Sequence, residues 1–150
     1  MNRKKITFTI LVITIVLSVC FIYYIVKLND TTTINSNIKN AAKTIEYLYL
    51  SDITPFDWDE AFIIEDPYIG GDALDKIVGV KCGLKRSDID STRRIIFIKD
   101  KKFVYDYIYR WSDITFIPLG IVIDKEHCKF EVKIDDNERI FLQHKNINRK

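Results

Sequence analysis

Histidine, cysteine and glycine are all scarce in this chain, and each scarcity closes off a class of chemistry. Only His127 and His144 occur, and neither stands in a metal-ligand spacing such as His-Glu-x-x-His, so no metal site is written in the sequence. His127 beside Cys128 makes no nucleophile and base pair either, because neighbouring residues of a strand point to opposite faces. Three cysteines, one of them Cys20 inside an apolar run, are too few for a disulfide scaffold. Cys82 and Cys128 remain as one possible disulfide in an oxidising compartment. Five glycines include no phosphate-binding loop: Gly70-Gly71 opens a helix without the lysine that such a loop needs. No cofactor is implied, and no internal repeat is visible.

Charge is missing as well, in two places. Residues 6–26 carry none, and at ~1.5 Å per residue this run of Ile, Leu, Val, Phe, Thr and Tyr reaches about 31 Å, enough for a hydrocarbon core. It predicts a transmembrane helix. Arg3, Lys4 and Lys5 precede the run while Lys27 and Asp30 cancel beyond it, which places the N-terminus in the cytoplasm and the C-terminal domain outside a cell membrane crossed once. Tyr23 and Tyr24 fit an aromatic belt. Cleavage of a signal peptide would need small residues that 21–26 do not offer. Leu17-Ser18-Val19-Cys20 resembles a lipobox, with Val19 where Gly or Ala is wanted.

The second gap is in positive charge, since residues 46–75 hold no lysine or arginine. Arg3, Lys4 and Lys5 are the only charges of residues 1–26, so the 23 basic and 21 acidic residues of the whole chain become 20 and 21 beyond them. Such a balance carries no nucleic-acid footprint. Asp57, Asp59, Glu60, Glu65 and Asp66 could offer carboxylates to a cation, but no loop glycine stands at EF-hand spacing. They read as solvated acids, with Asp72 as a helix cap.

The remaining patterns predict a fold. Residues 1–5 form a cytoplasmic tail, 6–26 the membrane helix, 27–34 a Thr- and Asn-rich tether, 35–144 an extracytoplasmic domain and 145–150 a frayed tail. Ile34, Ile38, Ala41, Ala42, Ile45, Leu48 and Tyr49 recur at helical spacing, predicting a helix over 35–50 that Ser51 to Pro55 ends. Ala61-Phe62-Ile63-Ile64 is a buried strand stopped by Asp66-Pro67, and a short amphipathic helix closes at Gly79. Residues 81–92 form a loop. Strands over 93–99 and 102–110 then make a hairpin around Asp100-Lys101; Ile95-Ile96-Phe97-Ile98 is apolar on both faces, as a strand covered on each side must be. Residues 111–124 read as a crossing loop with a short strand. Cys128, Phe130, Val132 and Ile134 alternate with polar residues as a half-buried strand, and 139–143 is an edge strand. The fold class is α+β: after the membrane helix, a small domain with a mostly antiparallel sheet of about 4–5 strands and two helices.

Trp58-Asp59, Phe62-Ile63-Ile64, Pro67-Tyr68, Ile77 with Gly79, and Ile96-Phe97-Ile98-Lys99-Asp100 together resemble a pattern found in uncharacterised small exported or membrane-anchored proteins of Gram-positive bacteria. The resemblance covers half of the part beyond the apolar run. It implies an anchored α+β domain and adds no catalytic residue; Glu65-Asp66 before Pro67 departs from the pattern. The function expected is a binding or interaction module for a protein or envelope partner. Its candidate patch is Asp57, Trp58, Asp59, Asp66 and Tyr68, facing a partner with a basic patch. Trp58 and Tyr68 equally suit core positions closing the ends of the strand. An exported inhibitor or immunity protein, and a hydrolase using the acidic segment, are the alternatives.

Overall fold

The computed structural model describes residues 3–145, with the side chains of 12–22 and 31–145. In chain order the elements are α1 (Arg3–Ala42), β1 (Tyr47–Tyr49), α2 (Leu50–Ile53), β2 (Glu60–Ile64), α3 (Gly71–Val78), β3 (Thr92–Lys99), β4 (Lys102–Arg110), β5 (Ile114–Ile117), β6 (Ile121–Asp124), a 3-10 turn (Lys125–His127), β7 (Lys129–Ile134) and β8 (Ile140–His144). The chain divides into two compact units, Met1–Thr32 and Thr33–Lys150.

The first unit is helical from Arg3 onward. Among the described residues no helix is long and apolar enough to cross a membrane, which overturns the transmembrane helix expected over 6–26 and the signal anchor drawn from it. Residues 1–2 of the expected tail lie outside the described residues.

The expected tether over 27–34 is helical instead, and its last residues already belong to the second unit. Ile34 and Ile38, one turn apart, are both fully buried, and Ala41 and Ala42 pack beside them. The domain therefore begins inside the stretch read as linker. The helix stops at Ala42 rather than near Leu50: the N–H groups of Thr44 and Ile45 both donate to the Ala41 carbonyl. Beyond that turn, Tyr47 and Tyr49 are exposed while Leu48 is buried, a period of two that favours a strand. β1 pairs with β7 through Tyr47↔Glu131 and Leu48↔Phe130.

Two four-stranded sheets replace the single sheet expected. One has the order β1-β7-β8-β5 and the other β4-β3-β2-β6; every pairing is antiparallel except β5 with β8. Three α-helices and a 3-10 turn stand where two helices were expected in the domain besides the membrane helix. Besides β1, the extra strands come from 111–124. Pro118, which lacks an N–H, and Gly120 end β5 in the first sheet and start β6 in the second, so one apolar stretch serves both.

Between the sheets lies the main core, where Ala61, Ile63, Ile95, Phe97 and Ile123 meet Ile114, Phe116, Phe130 and Leu142. The opposite face of β2 and β3, with Phe62, Ile64, Ile96 and Ile98, packs on Leu74 and Val78 of α3. β3 is thus covered on each side, as its sequence demands. β3 and β4 turn at Asp100 and Lys101, at φ 49° and 56°. A bulge between Phe97 and Ile98 shifts the register, so Phe103 joins the α3 side while Val104, Tyr105, Tyr107 and Tyr109 serve the main core. The Tyr107 hydroxyl donates to Asn35 Oδ1 at 2.6 Å, tying β4 to α1.

α3 ends at Gly79, whose φ of 78° suits a glycine and whose N–H donates to the Asp75 carbonyl. Asp72 lies in its first turn, where the helix dipole favours it, and is not the cap; that position is Gly70. Gly70 is needed for contact: a Cβ there would stand 2.1 Å from the Arg86 backbone nitrogen. Lys145, counted in the expected frayed tail, donates its N–H to the Lys129 carbonyl, and 146–150 lie outside the described residues.

Phe97 is fully buried against Phe56 and Trp58, with ring centroids 5.1 and 5.3 Å away. Phe97→Ala should cost about 3–5 kcal/mol of unfolding free energy in denaturant titration. A loss under about half a kcal/mol would place the ring at the surface.

Candidate functional site

The candidate patch read from the sequence does not assemble. Trp58 is fully buried: its Nε1 donates to Thr54 Oγ1 at 2.9 Å and its ring stands edge-on to Phe97. It offers nothing to a partner. Asp57 and Asp59 lie before β2, whereas Asp66 and Tyr68 lie after it, and β2 alone spans about 13 Å at ~3.3 Å per residue. The surface is split in two.

At the first end Asp57 is already occupied. Its carboxylate takes both Lys125 and Lys99, and its Oδ1 also accepts the Trp58 N–H. Hydrogen bonds from Lys125 and then Lys99 hold its pKa well below the usual carboxylate range. Asp59 Oδ2 accepts the Asp100 N–H at 2.7 Å, which braces the hairpin turn. These acids are structural. At the other end Asp66 Oδ1 accepts the Tyr68 N–H at 2.8 Å in an Asx turn, and Tyr68 is half exposed. Its hydroxyl pKa is raised, first by desolvation and then by Asp90.

The other expected chemistry is placed as follows. Cys82 and Cys128 are free thiols, which overturns the possible disulfide: Cys82 packs on the α3 side of β2 and β3, and Cys128 sits in the core on the other side. Burial, then Asp75 and Asp106, push the Cys82 thiol up to about 11, so little thiolate forms near neutrality. His127 lies in the 3-10 turn beside Asp124, and His144 Nε2 is 2.7 Å from the His127 carbonyl. Among the described residues no group of three His, Cys, Asp or Glu could hold a metal. Glu65 and Asp66 share one cleft, yet the rest of its lining is apolar or glycine, with no nucleophile or further acid or base.

A different constellation stands out at the end of the molecule where β3 begins and β4 ends. Trp111 follows β4, and its N–H donates to the Ser91 carbonyl. The Arg93 guanidinium lies 5.3 Å and that of Arg139 6.0 Å from the centroid of its ring, and Arg139 also lies 5.2 Å from the Phe141 ring. Trp111 remains 43% exposed between them. Arg93 is fixed by Nη1 donation to the Asp90 and Thr92 carbonyls, at 2.6 and 2.7 Å. Its Nε, the Arg139 Nε and the Tyr109 hydroxyl are buried without a hydrogen-bond partner. Two guanidiniums thus lie within cation–π distance of one aromatic ring.

These residues border a cleft of 580 Å³ formed by Lys39 of α1, Lys43 in the turn after it, Asp113, Glu138 and Arg139, with Ile134 and Ile140 among its apolar lining. A second cleft of 420 Å³ shares Lys39 and Asp113 and adds Arg110. Four basic side chains thus face two acidic ones across the pair. Sequence reasoning missed this site because β3, the β4 exit and the β8 entry contribute one residue each. The only local signal was Arg110-Trp111 followed by Ser112-Asp113, a tryptophan placed in a turn.

Comparison of the chain with protein families, curated proteins and solved structures returns no match. The reading of the site therefore rests on its own geometry.

Two outcomes are expected. In the intact fold a thiol reagent at pH 8 should modify exposed Cys20 quickly and Cys82 and Cys128 slowly, with all three reacting after unfolding; fast modification of Cys82 would contradict its burial. The Asp57 pairs add stability above the unfolded carboxylate's pKa of about 4, and that contribution is lost as pH falls through the depressed folded value. Asp57→Asn keeps an acceptor for the Trp58 N–H and should lower Tm near neutral pH in low salt. The deficit should shrink progressively below about pH 4 and in high salt; a deficit constant across both would remove the ion pairs as its source.

Proposed function

We propose that the unit formed by residues 33–150 is a binding domain that captures an acidic segment of a partner protein at the Arg93–Trp111–Arg139 surface. The observation that carries this reading is the pair of guanidiniums within 5.3 and 6.0 Å of the ring centroid of a partly exposed tryptophan, beside a cleft bearing Lys39 and Lys43. Tryptophan, tyrosine and arginine are enriched among binding hot spots, where large side chains fill well-packed, desolvated pockets. Arg93 is pre-ordered by its bonds to the Asp90 and Thr92 carbonyls, so its pairing with a carboxylate costs less side-chain entropy than it would for a free arginine. Ile134 and Ile140 in the same cleft suit an apolar residue between the carboxylates. This favours a peptide over a bare anion. The charge preference is the reverse of the basic partner expected from the acidic segment, since Asp57 and Asp59 are engaged within the domain.

Trp111 is the exposed one of the two tryptophans, so its emission reports on the site directly. Titration of the full chain with a capped Glu-Val-Glu-Val-Glu-Thr peptide should shift that emission saturably, and added salt should weaken the effect. Trp111→Ala, followed by the anisotropy of labelled peptide, should lose at least about tenfold in affinity, roughly 1.4 kcal/mol, with Tm nearly unchanged. Lys43→Glu should do the same. No response at millimolar peptide, or loss of binding only together with loss of fold, would sink the reading.

A further inference from the structure

We propose that the β6 edge and the groove beside it form a second docking surface, which takes an extended, lysine- or arginine-bearing segment of a partner protein by strand addition. β6 closes one side of its sheet and pairs only with β2. The Lys125 N–H donates to the Asp59 carbonyl, which sets the parity of the ladder: Ile121 and Ile123 turn their backbone groups to β2, and Val122 and Asp124 turn theirs outward. An incoming strand meets those outward groups.

Beside this edge, between β2 and α3, runs a groove of 320 Å³ lined by Ile64, Ile69, Ile77 and Val122. Ile77 and Val122 are 50% and 52% exposed, so two apolar side chains stand ready for alternate residues of an added strand. Glu65 and Asp66 belong to the same lining, which holds no lysine or arginine, and the exposed Asp124 carboxylate stands at the far end of β6. A basic segment complements that rim. A second copy of the chain does not, because its own β6 would bring the same carboxylates. The sheet's other edge, β4, is longer but is flanked by Lys101, Lys102 and Arg110, which repel a basic strand. Charge therefore assigns the segment to β6.

The test uses the full chain, a capped Lys-Val-Lys-Val-Lys-Val peptide and hydrogen exchange read by mass spectrometry. Saturating peptide should slow exchange in the segment containing Val122 and Asp124 by about fivefold or more, while β4 and the Trp111 surface stay unchanged. Glu65→Lys with Asp66→Lys should abolish that protection at unchanged Tm. Val122→Pro should do so too, because its outward N–H takes no part in the β2 ladder and proline is tolerated at an edge. The Glu-Val peptide should give no protection at β6, and Trp111→Ala should leave the Lys-Val effect intact, so this surface and the arginine–tryptophan site fail or stand separately. Absence of protection at millimolar peptide, protection along β4, or equal protection by the acidic peptide would overturn the proposal.

Discussion

Ala61, Ile63, Ile95 and Phe97 face one hydrophobic cluster while Phe62, Ile64, Ile96 and Ile98 face another, so the β2–β3 pair must be covered on both faces at once. That double burial dictates the layers around it. A second sheet, together with Ile34 and Ile38 of α1, covers one face, and α3 with the loop after it covers the other. Each fully buried Ile or Phe contributes about 1.5–3 kcal/mol relative to exposure. Arg94 and Asp106 sit on the α3 side with side chains 5% and 4% exposed, 3.8 Å apart. Such a pair adds little net stability, because desolvating both charges offsets much of their attraction.

The charge pattern shows why a linear count misleads. Residues 46–75 lack basic side chains, yet Asp57 receives Lys99 from 42 residues away and Lys125 from 68. The strands that β2 pairs with bring those lysines to it. Among the described residues Glu65 and Asp66 at the groove form no ion pair, while a cluster of basic side chains gathers near Trp111. Two surfaces of opposite charge stand toward opposite edges of one sheet. Each suits a different partner chemistry, and neither calls on the residues first singled out, apart from Asp66.

The arginine–tryptophan site was hidden for a simple reason. Arg93, Trp111 and Arg139 each look like an ordinary polar or turn residue in its own neighbourhood, and only the convergence of a strand start, a strand exit and a second sheet's strand entry makes them neighbours. Trp58 misled in the opposite sense. Its flanking aspartates suggested a surface, but one of them faces lysines and the other a turn amide, while the indole fills the core.

The elements with a strong period were legible in the chain itself: the doubly apolar β3, its hairpin with β4, the alternating β7 and the short helix closed at Gly79 each follow from local side-chain spacing and backbone preference. Residues 35–42 were legible as helix for the same reason, because Ile38, Ala41 and Ala42 recur at helical spacing. Tertiary structure alone decided where that helix stops, that Tyr47–Tyr49 is a strand, and that 111–124 supplies one strand to each of two sheets. Those segments are short and their patterns suit more than one state, so pairing partners far away in sequence select among them. The same holds for charge and for the docking surfaces: residue type is local, but which carboxylate is already paired and which tryptophan meets solvent depends on contacts that form only when the sheets close on each other.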